Sequence, residues 1–89
     1  MVIGMFLKQA PASIEEIKHY NNEKDLVKMG NSAHKLKGSA LNMGAALFAD
    51  LCKKIEVKGR SNDSTDLDPL VEELTPLFDK TADALKLLM

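Results

Sequence analysis

Residues 30–44 read GNSAHKLKGSALNMG and form the centre of the most regular helical pattern in the chain. The apolar residues around them recur every three or four positions, at Leu26, Met29, Ala33, Leu36, Ala40, Met43 and Leu47. This spacing puts them on one face of an α-helix, as in a helix that packs against a core. At about 100° per residue, His34 lies roughly 140° from the centre of that face, and Gly38 lies nearly opposite it. The pattern therefore predicts an exposed histidine, in the same outward sector as Gly30, Leu41 and Ala45.

The rest of the chain also shows apolar residues at helical spacing, and it contains no strand-like run. The predicted helices run from about Val2 to Tyr20, from Lys24 to Met43, from Ala45 to Lys58, and from the Asp68-Pro69 start toward Leu88. We expect the first to continue as one bent helix through Pro11, the second to end at Gly44 as a left-handed cap, and the fourth to bend at Pro76. The polar segment 59–65 is the longest predicted loop. Short links between amphipathic helices predict an all-α fold, an up-down antiparallel four-helix bundle.

Length and composition limit the classes of protein that fit. Eighty-nine residues suffice for a single domain, 1–89, with one aliphatic core and no tryptophan. No apolar run reaches the roughly 20 residues of a membrane helix, and no signal peptide is visible. The one cysteine, Cys52, cannot form an internal disulfide and falls on an apolar helix face, which favours a buried thiol. We therefore expect a soluble, cytoplasmic protein without membrane contact.

The charges are distributed unevenly along the chain. The net charge of −1 argues against general nucleic-acid binding. Residues 28–60 nevertheless contain seven basic and only two acidic residues, while the compensating acids lie in 15–25 and 63–83. This basic part would suit an acidic partner surface or a phosphoryl group, or it is simply a set of solvated helix faces.

An exposed histidine can serve as a metal ligand, a general base, a nucleophile or none of these. Metal binding at His34 is disfavoured because no Cys or carboxylate stands three or four residues away, and His19 lies on another helix. A general base requires a substrate pocket, for which a small bundle with a continuous core has little room. A nucleophile requires one outward nitrogen, a group that fixes the other nitrogen, and cations for the incoming charge.

Three residues that follow His34 fit the nucleophile hypothesis. Lys37 stands one turn later and can reach an anion held on the histidine. Gly38 lowers the stability of a helix by about 1 kcal/mol relative to alanine. A glycine at this position would let a partner approach His34 closely. The alternative explanation is close packing against another helix. Ser39 could donate to a phosphate oxygen or bond a backbone carbonyl.

The segment 33–40, with Gly44-Ala45 after it, resembles the histidine-containing phosphotransfer (HPt) domains, whose hallmark is His-x-x-Lys-Gly followed by a further glycine. The similarity extends through Leu51-Cys52-Lys53-Lys54-Ile55-Glu56 and the segment 59–63, and so covers about residues 5 to 63. The resemblance implies a module of a two-component phosphorelay. Such a module takes a phosphoryl group from, or passes it to, an aspartate of a receiver domain.

The resemblance also implies roles for individual residues. His34 corresponds to the phosphorylated histidine, Lys37 to the lysine that neutralises the phosphate, and Arg60 to a basic position near the phosphate in some members. Ser39 is a further candidate for a phosphate contact, on its position alone. Glu56 corresponds to the position that holds Nδ1–H of the histidine, although a solvated carboxylate is the alternative. Gly38, Leu41 and Ala45 would belong to the surface that docks the partner.

The implied partners are the receiver domain of a response regulator and a hybrid sensor histidine kinase, as a separate chain or within the same longer chain. In the latter case the chain would be the cytoplasmic module of a membrane-bound kinase. It would be a phosphoryl carrier and not an enzyme by itself, with no cofactor or metal of its own and Mg²⁺ in the partner. A different class remains as the alternative, namely a helical interaction or dimerisation module in which His34 is not phosphorylated. A small enzyme with His34 as general base would instead turn over substrate without a protein partner.

Overall fold

The computed structural model describes residues 3–88, and every regular element among them is helical. The elements are α1 (Ile3–Asn22), α2 (Leu26–Asn42), α3 (Ala46–Arg60), α4 (Leu67–Glu72) and α5 (Leu74–Lys86). Three-residue turns join α1 to α2 and α2 to α3, so that successive helices run antiparallel. The predicted all-α bundle is therefore confirmed, with α4 and α5 together in the place of the fourth helix. None of the helices within residues 3–88 combines the length and apolar character needed to cross a membrane.

The first three helices end in the same backbone motif. A residue with left-handed φ follows each helix: Lys24 (φ 61°), Gly44 (φ 73°) and Asn62 (φ 53°). After α2, the amide of Gly44 donates to the carbonyl of Leu41, and the amide of Ala45 donates to the carbonyl of Ala40. This is the Schellman arrangement, which satisfies carbonyls that the helix leaves without partners. The predicted cap at Gly44 is confirmed, whereas the pattern gave no signal at Lys24.

The first helix is continuous through Pro11, as expected. Proline removes one backbone hydrogen bond from a helix interior. Burial of Ala10 and Ile14 against the core on either side of Pro11 offsets that loss. The expected start at Val2 lies outside the described residues.

The fourth predicted helix differs most from expectation. It begins at Leu67, after Asp66 in a left-handed conformation, so the predicted N-cap Asp68 lies inside the first turn. It is also interrupted at Glu73, and α5 starts at the next residue. The interruption places Pro76 in the first turn of α5, where backbone N–H groups lack helical partners and a proline is tolerated.

The core lies between all of the helices. Its centre is a cluster of three aromatic rings, Phe6, Phe48 and Phe78, whose centroids lie 5.8–6.3 Å apart. These rings come from α1, α3 and α5, and aliphatic side chains of α2 complete the packing. Edge-to-face and tilted ring pairs stabilise a core beyond the area that they bury.

Helices α2 and α3 form the most extensive helix pair and touch at two glycines. A Cβ atom built on Gly59 would lie 2.8 Å from Cα of Gly30, so the two backbones are in direct contact. Two expectations are therefore wrong. Gly30 is buried, although its helical angle placed it in the outward sector, and Gly59 is helical and buried, although the polar segment predicted a loop.

Candidate functional site

The side chain of His34 projects from the middle of α2 and reaches a carboxylate on α3. Nδ1 of His34 lies 2.7 Å from Oε2 of Glu56. The histidine side chain is 53% exposed, whereas that of Glu56 is 6% exposed. No group among residues 3–88 hydrogen-bonds Nε2 of His34. A carboxylate accepts only, so Nδ1 carries a proton, and in the neutral imidazole Nε2 holds the lone pair on the side open to solvent.

The same carboxylate binds two cations. Nζ of Lys37 donates to Oε1 of Glu56 at 2.7 Å, and a guanidinium nitrogen of Arg60 lies 2.9 Å from Oε2. Glu56 thus joins one histidine, one lysine and one arginine. The alternative that Glu56 is a solvated carboxylate is wrong, because its side chain is buried and both oxygens are occupied.

Burial and neighbouring charges act on Glu56 in opposite directions. Burial raises the pKa of the carboxyl group, but hydrogen bonds from Lys37 and His34 and the charges of Lys37 and Arg60 outweigh it. The net shift of the Glu56 pKa is downward. The carboxylate is therefore ionised throughout the neutral range, which is the state that holds the proton on Nδ1.

Helical spacing and the glycine contact together create this cluster. Residues three or four apart share a helix face, as do His34 and Lys37 on α2, and Glu56 and Arg60 on α3. Gly30 lies one turn before His34, and Gly59 lies one turn after Glu56. Since the two glycines bring α2 and α3 together, they set the distance that the His34–Glu56 hydrogen bond spans.

The outer side of α2 beyond the cluster is open. A Cβ on Gly38 would meet no atom within 4 Å, so helix packing does not explain this glycine. Leu41 is 57% exposed and lines a shallow groove of about 290 Å³ with Lys37 and Lys53. Small size at residue 38 and apolar surface at residue 41 are features of a surface that a protein partner can approach.

Two of the predicted site residues lie elsewhere. Ser39 is about 160° around the helix from Lys37 and lines a separate groove with Gln9 and Ser13 of α1. Ala45 is the N-cap of α3 and lines a groove against α5 at the end of the bundle. Their positions give no support to a phosphate contact by Ser39 or to a docking surface shared by Ala45 and His34.

The remaining reactive side chain is Cys52, which is fully buried in α3. Burial raises the pKa of its thiol to about 12 against smaller opposing effects of a backbone hydrogen bond and of Lys37. The prediction of a buried thiol is confirmed. Within residues 3–88, no three His, Cys, Asp or Glu side chains are grouped as metal ligands would be.

Nothing in the sequence pattern indicated that three side chains share one carboxylate. The family resemblance implied that Lys37 and Arg60 contact an incoming phosphate, but both bind Glu56 in this structure. The spacing of four between Glu56 and Arg60 was a visible signal for their ion pair. No comparable signal indicated that Gly59, in a polar segment, would be the point of helix contact.

Sequence comparison with known proteins gives the family of this chain. The phosphorelay intermediate protein YPD1 of Candida albicans is 36% identical over 58 residues, which cover 65% of this chain and 32% of that protein. The aligned part thus spans about a third of this curated relative. No solved structure gave a significant match. The sequence model described as Hpt domain matches residues 1–86, and the chain therefore belongs to the Hpt domain family.

Proposed function

We propose that this protein is a phosphoryl carrier of a phosphorelay, in which Nε2 of His34 receives and releases the phosphoryl group. The observation that carries this proposal is the 2.7 Å contact between Nδ1 of His34 and the buried carboxylate of Glu56. It fixes the tautomer that leaves the lone pair on Nε2, on an exposed ring. Membership of the Hpt family and the printed name of the Candida albicans relative support the same function.

The transfer step follows from this arrangement. Nε2 attacks the phosphorus of an aspartyl phosphate, the P–O bond to the aspartate breaks, and the aspartate leaves as a carboxylate. The new P–N bond makes the ring an imidazolium, whose Nδ1–H still donates to Glu56. Lys37 and Arg60 bind the same carboxylate as the ring does, and in this proposal their positive charges stabilise the phosphoryl oxygens. Positioning and charge neutralisation are what phosphoryl transfer chiefly requires.

The partner in this proposal is a receiver domain, either of a response regulator or of a hybrid sensor kinase. The receiver provides the aspartate and Mg²⁺, and its acidic active site complements the basic residues of the 28–60 segment. Gly38 admits the partner close to His34, and Leu41 contributes apolar contact. The bundle by itself turns over no substrate.

The test uses the two histidines of the chain as a matched pair. A receiver domain, phosphorylated by radiolabelled acetyl phosphate with Mg²⁺, is mixed with the wild type, His34→Gln and His19→Gln. His19 is an exposed residue of α1 and does not belong to the cluster. We expect acid-labile, base-stable label on the wild type and on His19→Gln, and none on His34→Gln.

Label on His34→Gln, or acid-stable label on the wild type, contradicts the proposal. Absence of label from all three proteins, with a panel of receivers that phosphorylate a known carrier, favours the interaction module instead.

A second pair of variants tests the role of Lys37 in transfer. Lys37→Ala slows transfer, whereas Lys35→Ala, at the exposed position two residues earlier, leaves the rate unchanged. Equal rates for these two variants remove the role of Lys37.

A further inference from the structure

The group that contacts Nδ1 of His34 is a full negative charge in a buried position. A neutral acceptor would orient the ring equally well, because one oxygen suffices to accept from Nδ1–H. The carboxylate does more than orient, since a nearby negative charge favours the protonated, cationic form of an imidazole. In the phosphorylated ring, this charge acts on the proton that Nδ1 carries.

We propose that the charge of Glu56 retains the proton on Nδ1 of phosphorylated His34, and so makes this protein a fast phosphoryl donor at neutral and mildly alkaline pH. This inference rests on the proposed function. It assigns Glu56 as a positioning residue that also sets the protonation state of the leaving group.

The chemistry of release explains why the proton matters. An aspartate oxygen of the receiver attacks phosphorus, the P–Nε2 bond breaks, and its electron pair returns to Nε2. If Nδ1 carries a proton, the product is neutral imidazole, whose Nδ1–H still donates to the carboxylate of Glu56. If Nδ1 has lost the proton, the product is the imidazolate anion, which is a far poorer leaving group. Proton retention therefore accelerates donation without any transfer of a proton in the step itself.

Formal charges within the cluster favour the protonated form. Glu56, Lys37 and Arg60 together carry one positive charge. A doubly negative phosphoryl group on a protonated ring brings the cluster to zero, whereas the deprotonated ring leaves it at minus one. With glutamine in place of Glu56 the balance is reversed, and the deprotonated ring gives the neutral cluster. The identity of residue 56 thus selects the protonation state.

Other charged groups near the ring do not change this balance. On α2, the exposed Lys35 adds positive charge on the solvent side, where water screens it. On α3, Lys53 lines the groove beyond Lys37 and is exposed. On α1, Glu16 is bonded to Ser32, two residues from His34, and its carboxylate would only add to the effect of Glu56.

The experiment compares the wild type, Glu56→Gln and Glu15→Gln after chemical loading with phosphoramidate. Glu15→Gln is the charge-matched control, because Glu15 is 75% exposed on α1. The ³¹P chemical shift follows ring protonation between pH 5 and 9, and transfer to a receiver domain with Mg²⁺ is timed over the same range. We expect the titration midpoint of the Glu56→Gln ring to fall by about 1–2 pH units. We also expect transfer from it at pH 8 to slow by roughly tenfold or more, with Glu15→Gln equal to the wild type.

Each outcome decides one hypothesis. If no protein is loaded on His34, the proposed function itself fails. If all three load and their titrations and pH–rate profiles coincide, the role of the Glu56 charge is refuted while the carrier function stands. Should Glu56→Gln fail to fold by circular dichroism, the wild type alone still decides. Its phosphorylated ring must stay protonated at a pH where phosphohistidine in unfolded protein has lost the proton, and equal midpoints refute the inference.

Discussion

Replacement of Gly59 by alanine tests the claim that two glycines set the distance between α2 and α3. A Cβ at this position would lie 2.6 Å from the carbonyl oxygen of Leu26 and 2.8 Å from Cα and N of Gly30. All three atoms belong to the backbone of α2 and cannot rotate away. An ordinary contact needs about 3.4 Å, so the helices must separate by roughly 0.6–0.8 Å.

Two opposing terms determine the size of the effect. Alanine improves helix propensity by about 1 kcal/mol over glycine. Overpacking of a tight contact costs about 1–3 kcal/mol, and here the displaced groups are entire helices, so we take the upper part of that range. We therefore expect Gly59→Ala to lower the free energy of unfolding by about 1–2 kcal/mol. For a chain of this size, that corresponds to a decrease in Tm of roughly 5–15 °C.

Gly38 and Gly30 provide matched controls within the same protein. Gly38→Ala meets open space and should gain about 1 kcal/mol, with a rise in Tm of roughly 4–8 °C. Gly30→Ala meets backbone atoms at 3.3 Å, so its gain and cost nearly cancel. Urea and thermal unfolding followed by circular dichroism at 222 nm measure all three. A Gly59→Ala protein as stable as Gly38→Ala would refute the direct contact of the helices.

Three further predictions concern other parts of the chain. Asp25→Ala removes the side chain that accepts from the amide of Lys28, and urea unfolding should show a loss of about 1 kcal/mol; an unchanged midpoint would exclude this N-cap. Burial raises the pKa of the Cys52 thiol to about 12, so little of it is thiolate at pH 8, and a disulfide reagent should label the native protein far more slowly than the urea-unfolded one. Comparable rates would contradict burial of the thiol. The pKa of Glu56 in the folded protein is lower than the ordinary carboxyl value of 4.5, so the ionised carboxylate stabilises the fold at higher pH, and this contribution is lost as pH falls through the folded-state pKa. The free energy of unfolding of the wild type should therefore decline more steeply below about pH 5 than that of Glu56→Gln. Parallel pH profiles would show that the partners of the carboxylate do not stabilise it.

Much of the fold follows from local rules and was therefore predictable. The apolar period that contains Ala33 and Leu36 specifies a buried face of α2, and both residues are buried. Gly44 supplies a left-handed cap because it has no Cβ. Two features did not follow from these local rules. Lys24 adopts a positive φ although it is not a glycine, and the fourth predicted helix begins at Leu67 and is interrupted at Glu73, three residues before Pro76.

The sequence by itself determined that the chain folds into helices, that His34 is exposed and that the chain resembles a known family, because side-chain periodicity and short motifs are properties of neighbouring residues. Only the tertiary structure decided that Glu56 is buried and shared by three partners, that Gly59 is the point of helix contact, and that Ser39 lies away from the cluster. These facts depend on the distance and rotation between α2 and α3. That geometry arises from packing between residues far apart in the chain, and the period of one helix carries no information about it.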